Sequence, residues 1–317
     1  MVKVTENSRR RWLDADVTGP QEETGDHSVD WFRTFPFLAM HLACLGVFWV
    51  GWSPVAVGMA VALYVLRMLA ITGFYHRYFA HRSFKTSRVV QFFFATVGAA
   101  SVQRGPIWWA AHHRHHHAET EQPEDPHSPV HHGFWWSHTG WFLSREHFYV
   151  REERVRDWLR YPELRFLDRF DIVVPIMLAV ALFVMGNQLE TRAPGLETNG
   201  MQMLVWAFFI STVVLYHATF TINSLAHRWG KRRYNTQDDS RNNLWLALLT
   251  LGEGWHNNHH HYPVSTRQGF YWWEIDLTYY FLCTLKLFGL VWDLKPVPIE
   301  RRNQGQYPLP KPRRKST

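Results

Sequence analysis

Four apolar runs constrain this chain more than any other feature. Phe35 to Trp52 carries no charge and comes close to the roughly 20 residues a helix needs to cross a bilayer. Ser53-Pro54 breaks it, and Val55 to Tyr75 follows with a single charge, Arg67. A third run covers Ile172–Gly186, beginning near Phe170, and a fourth covers Met201–Ile222. Apolar segments of this length satisfy their backbone groups in lipid only as helices. The fold expected is therefore all-α and integral to a membrane, with spans at about 35–52, 54–75, 170–186 and 201–222. Mean hydropathy is only -0.26 although 46% of residues are hydrophobic, so a large water-facing part must accompany the spans.

Charge placement orients the spans. Between His76 and Arg104 stand Arg77, Arg82, Lys85 and Arg88 without any Asp or Glu, which puts that loop in the cytoplasm by the positive-inside rule. Glu190, Arg192 and Glu197 give the loop after the third span one net negative charge, and Lys231, Arg232 and Arg233 return the chain inside. Both termini are then cytoplasmic, most simply at a bacterial inner membrane. A charge at the bilayer centre is expensive, which places Arg67 near the inner interface. Val89–Val102 is short for a span and reads as an interfacial or core helix. Residues 118–165 read as soluble helices over the membrane surface. Leu244–Leu251 is too short to cross, and Phe270–Trp292 is an amphipathic, aromatic segment suited to the cap or the interface. The chain divides into a polar tail (1–34), a membrane domain (35–294) and a flexible, basic, Pro-rich tail (295–317). Arg9-Arg10-Arg11 precedes no apolar stretch of signal-peptide type. The net charge of +7 suits anionic headgroups, and no zinc-finger, basic-zipper or RNA-binding motif points to nucleic acid. Cys44 and Cys283 lie in apolar runs and suggest neither a disulfide nor a thiolate site.

The second feature is histidine: 20 residues against 2 Cys, so any metal here is held by nitrogen. Trp108-Trp109-Ala110-Ala111-His112-His113-Arg114-His115-His116-His117 holds five imidazoles in six positions. On a helix, i, i+3 and i+4 share a face, and both His113/His116/His117 and His112/His115/His116 fit. Spacing leaves both open, and a basic solvated turn is the bland alternative. Three more clusters fall on the same cytoplasmic side: His76-Arg77-Tyr78-Phe79-Ala80-His81, Asn223-Ser224-Leu225-Ala226-His227, and Trp255-His256-Asn257-Asn258-His259-His260. Thr219, Asn223 and His227 form one helical stripe. Imidazole suits Fe, Zn, Cu and Ni, and so many nitrogen ligands beside a membrane favour two irons and dioxygen. Second-sphere carboxylates such as Glu253 or Asp125 would orient ring N–H groups. His27, His41, His217 and His261 read as ordinary surface or core residues. His131, His132, His138 and His147 read as second-sphere or surface groups.

His76–His81, His113–His117 and His256–His260, with Asn223–His227, resemble the three histidine boxes and the additional ligand motif of membrane fatty acyl desaturases. The likeness is to the delta-9, stearoyl-CoA-desaturase-like branch of bacterial type, and it covers about residues 35–295. Asp125-Pro126-His127 matches the family's Asp-Pro-His and sets the register at His113, His116 and His117. The resemblance implies nine ligands to a di-iron centre (Fe2+/Fe3+): His76, His81, His113, His116, His117, His227, His256, His259 and His260. Asn223 would hold one iron through a water. Gln103, Trp109 and Thr219 match residues at the bend of an acyl tunnel, and Tyr64 matches its closed end. The activity implied is O2-dependent insertion of a cis double bond, at delta-9, into a saturated acyl chain. That chain is carried on CoA, on acyl-carrier protein or on a phospholipid. Ala111-His112 stands where acyl-CoA enzymes of animals have Arg-Asp, which loosens the tie to CoA. No His-Pro-Gly-Gly haem motif is present, so a separate donor, a ferredoxin or b-type cytochrome with its reductase, supplies electrons. The rivals are a di-iron membrane hydroxylase or alkane monooxygenase and a His-rich metal transporter, which should hold its ligands near the bilayer midplane.

Helix geometry adds a chain-length expectation. Tyr64 and Met68 lie at i, i+4 on one face of the second span. They precede His76 by twelve and eight residues, roughly 18 and 12 Å along an α-helix. Both side chains are placed to block the methyl end of an acyl chain.

Overall fold

The computed structural model describes residues 14–15, 28–122 and 124–305; His27 and the triple arginine lie outside them. Four helices are long and apolar enough to cross a membrane: α1 (Trp31–Val50), α2 (Pro54–Ala80), and, after the first part of the cap, two more. The hairpin between α1 and α2 follows from three residues. Gly51 turns the chain at φ 66, Ser53 Oγ accepts from the Ala56 N–H, and Pro54 occupies the first turn, where no backbone donor is missed. From Ala70 to Ala80, α2 is wound as a π-helix. A π turn closes an i to i+5 bond, here from His81 N to His76 O, so residues five apart face the same way.

The chain then forms α3 (Arg88–Ala99) and α4 (Pro106–Ala118), joined by a tight turn at 100–105. α5 (Pro162–Arg169) follows, and its Asp168 Oδ1 accepts from the Ile107 and Trp108 N–H groups at the start of α4. α6 (Val173–Arg192) and α7 (Gly200–His227) complete the four long helices, α7 opening on a reciprocal Asn199/Gln202 cap. The cap closes with α8 (Leu244–Leu249), α9 (His256–His261) and α10 (Leu277–Leu287). A two-stranded antiparallel pair, β1 (Lys85–Thr86) with β2 (Val291–Trp292), ties the loop after α2 to the chain after α10. The largest buried cluster, including Phe74, Phe79, Phe94 and Trp158, sits beneath the histidines where α2, α3, α4 and the cap meet.

Several expectations need correction. Residues 118–165 form short helical segments broken by turns, and Val155, Trp158 and Leu164 among them pack into the largest core cluster. α2 extends beyond Tyr75, α6 carries Glu190 and Arg192 in its last turns, and α7 reaches His227. Phe270–Trp292 is not one helix, since Asp276 caps a fresh start at Leu277. Of the tail expected to be flexible, residues 295–305 are held, by Lys295 N to Ser83 O and by Tyr234 OH to Arg302 O in a short helix at Ile299–Asn303, and residues 306–317 lie outside the described residues. Arg67, expected near the inner interface, is shielded from solvent inside the helix bundle. It is buried between helices, donating to Leu63 O, Ala100 O, Thr212 Oγ1 and Ser211 Oγ.

Candidate metal centre

Nine imidazoles converge at the C-terminal ends of α2 and α7, and they sort into two groups. His76, His81, His113, His117 and His259 form one; His116, His227, His256 and His260 form the other. Within each group the ligand atoms lie within 4.8 Å of one another. The Nε2 atoms of His81 and His113 are 2.8 Å apart, those of His117 and His259 2.9 Å, and those of His227 and His256 3.1 Å. Local winding explains the sorting. The π turns put His76 and His81 on one face, their rings 4.8 Å apart. On α4, His113 and His117 point to the first group while His116 points to the second; on α9, His259 and His260 divide likewise. His112 and His115 turn away, to Tyr149 O and Glu124 O.

Burial keeps most of these rings neutral. It pushes the pKa of His81, His113, His117, His256 and His259 well below the ordinary imidazole range, and the charge of neighbouring rings adds to the effect. Burial alone would lower His116 too, but the Asp125 carboxylate outweighs it and raises that ring. Neutral nitrogens present lone pairs, which is what a metal requires. His260 shows the fit most clearly: Nδ1 meets Asp238 Oδ2 at 2.6 Å, leaving a buried Nε2 without a partner in the protein. Nitrogen-only donors with carboxylates behind them fit iron as the sequence implied.

The carboxylates are unevenly shared. In the four-histidine group Asp125 meets His116 at 3.0 Å, Glu121 meets His227 at 3.1 Å, and Asp238 serves His260. In the five-histidine group only His76 meets one, Glu253 at 2.5 Å, itself balanced by Arg77. Glu253 and Asp125 were expected in this role. Glu121, Asp238 and Gln268, whose Nε2 donates to Glu253 Oε2 at 2.9 Å, were not. They lie in loops with no periodicity, and a lone acid in a loop carries no signal until the fold closes. His138, expected near the site or at the surface, instead bonds His217 and Ser224, and His217 bonds His41.

Two cavities flank the histidines and share the wall formed by Trp109, His113, Thr219 and Asn223. The larger, about 280 Å³, is lined mainly by apolar groups of α1, α7 and the cap, with Gln103 on its wall. Gln103 Nε2 donates to Thr219 Oγ1 at 3.1 Å where the two cavities meet. The smaller, about 40 Å³, is lined by Met68, Ile71 and Thr72 as well as His76 and Glu253. Met68 is fully buried there, on the same cavity wall as His76. Tyr64 packs behind it and donates to Leu249 O at 2.5 Å.

The match to known proteins runs through these same residues. The model of the fatty acid desaturase family matches residues 34–283, which contain all nine histidines. A palmitoyl-monogalactosyldiacylglycerol delta-7 desaturase of Arabidopsis thaliana is 37% identical over 311 residues, covering 95% of this chain and 79% of its own length. An sn-1 stearoyl-lipid 9-desaturase of Anabaena variabilis is 36% identical over 270 residues, covering 84% of this chain and 94% of its own. An acyl-CoA 5-desaturase of Anemone leveillei is 37% identical over 285 residues, covering 88% and 84%. Four membrane-length helices, two histidine groups and two adjoining apolar cavities thus meet a family match along most of the sequence: the chain belongs to the fatty acid desaturase family, oxidoreductases that act on fatty acyl chains.

Proposed function

We propose that this protein is an O2-dependent acyl desaturase that introduces a cis double bond at delta-9 of a saturated chain. It would hold two irons on His76, His81, His113, His117 and His259, and on His116, His227, His256 and His260, with Asn223 bonded to one iron through water. The carrying observation is the pair of histidine groups beside two apolar cavities that share the wall of Trp109, His113, Thr219 and Asn223. Bound irons would supply the oxidising power, with O2, to break two C–H bonds of unactivated methylenes. The chain loses two hydrogens, and O2 takes these with two electrons and two protons to leave two waters. The two electrons come from a separate donor, a ferredoxin or b-type cytochrome.

The protein's own groups do the rest. Asp125, Glu121, Asp238 and Glu253 accept from ring nitrogens and fix which nitrogen faces the metal. Trp109, Gln103 and Thr219 bend the acyl chain, and the apolar walls exclude water from the reacting carbons. Met68 and Tyr64 stop its methyl end. With the basic loops inside, the site opens to the cytoplasm of a bacterial inner membrane, against the membrane lipids. The test is mass spectrometry of lipids from cells expressing the protein. New cis-9 monoenes are expected, and the class that first carries them (acyl-CoA, acyl-carrier protein or phospholipid) identifies the carrier. Double bonds only at another carbon would refute the delta-9 assignment.

A further inference from the structure

Arg67 is a cation in a membrane-length helix, 1% exposed, and no carboxylate meets it among the described residues. Such a group is costly to retain, so its acceptors matter. One is Ala100 O, at the C-terminal end of α3, where the helix dipole places partial negative charge. Two others, Ser211 and Thr212, sit on α7. One turn further along α7, Tyr216 OH donates to Val102 O at 3.0 Å. Next comes Gln103, bonded to Thr219. Three contacts from α2 and α7 therefore grip three residues of the α3–α4 turn, Ala100, Val102 and Gln103.

That turn is strained. Val102 has φ 58 and Arg104 φ 68, a left-handed conformation that a β-branched residue such as Val adopts rarely. Strain of this kind persists only where the surroundings over-determine the backbone, and here the determinants are Arg67 and Tyr216. Between the two strained residues stands Gln103, on the cavity wall where the acyl chain bends. Relatives at 37% and 36% identity are named for double bonds at positions 5, 7 and 9. A shared fold thus does not fix the position. Small displacements of the bend relative to the metals are enough, since misplacement by about 1 Å is felt on the order of 10²-fold in rate.

We infer that Arg67 and Tyr216 are positioning residues for regioselectivity: by clamping the 100–104 turn they set which carbon pair lies beside the metal centre. The inference rests on the desaturase reading of the site. Full-length wild type, Tyr216→Phe, Arg67→Met and Arg67→Lys are expressed in membranes, their amounts matched by immunoblot, and double-bond positions are read from dimethyl disulfide adducts. Wild type gives one position. Tyr216→Phe, which loses a hydroxyl and no volume, and Arg67→Met should each move at least a tenth of the product to neighbouring carbons. Arg67→Lys, still able to reach Ala100 O, should recover most of the original position. A Tyr216→Phe enzyme whose product stays at one position, or which accumulates without making product, overturns the inference. Should Arg67→Met fail to accumulate, Tyr216→Phe decides alone. Wild type without any monoene would sink the desaturase reading instead, so the two failures are distinguishable.

Discussion

Replacing Met68 should lengthen the acyl chains this enzyme accepts. The small cavity beyond the histidines holds about 40 Å³, a fraction of the larger cavity's 280 Å³. Met68 is fully buried on its wall. Met68→Ala removes three heavy atoms from that wall, room for about two methylenes. A methylene that a pocket cannot take is worth roughly 1–3 kcal/mol, or about 10–200-fold in kcat/KM. The preferred length should therefore move up by about two carbons, each longer chain gaining about tenfold or more over the next shorter one. Truncation costs about 2–5 kcal/mol of stability, so product ratios are the readout, not total turnover. Each variant is given an equal mixture of 14-, 16-, 18- and 20-carbon chains and the products are separated by chromatography. Tyr64→Ala should act in the same direction, and Met68→Trp should shorten the limit. An unchanged length profile in all three variants, with activity intact, would refute the reasoning and put the end of the tunnel elsewhere.

His113→Ala, His116→Ala and His260→Ala should each abolish desaturation and lower bound iron by elemental analysis, whereas His115→Ala, turned toward Glu124 O, should keep both. Asp238→Asn should weaken metal retention about 10–100-fold in a chelator competition, because His260 loses a carboxylate partner; unchanged retention would remove Asp238 from the site. Burial alone would raise the Asp157 carboxyl, but Arg114 and Arg82 outweigh it and hold it below the ordinary range. A lowered folded pKa stabilises above the unfolded value and is lost as pH falls through the folded one, so Asp157→Asn should lower Tm at neutral pH and cost progressively less on acidification below the ordinary carboxylate range. An equal loss at every pH would contradict that assignment.

How much of this was legible follows from the physics of each signal. The four long helices were readable because lipid leaves apolar runs only one backbone solution. The i, i+3, i+4 spacing on α4 and α9 was readable as well, since local periodicity writes it directly. Winding was not. Nothing in Ala70–Ala80 announces a π-helix, and only that winding puts His76 and His81 side by side. The division of the α4 and α9 boxes between two groups was equally hidden, because it depends on where α2, α7 and α9 meet α4. The partners of Arg67 were hidden for a related reason: acceptors such as Ala100 O come from other helices, which no local pattern specifies. Glu121 and Asp238 reach the site from irregular loops, whose course no local pattern specifies. Helix geometry set Met68 and His76 on one helix, and the structure brings both to the wall of the small cavity.

The central claim is that this site desaturates, and oxygen labelling tests it most directly. Purified protein loaded with iron is supplied with a saturated acyl substrate, an electron donor and 18O2, and both lipid and water are analysed. The account predicts a cis monoene two mass units lighter than the substrate, with no label in the lipid and the 18O recovered in water. A lipid product that carries 18O as a hydroxyl group would contradict it and assign the same histidines to hydroxylation.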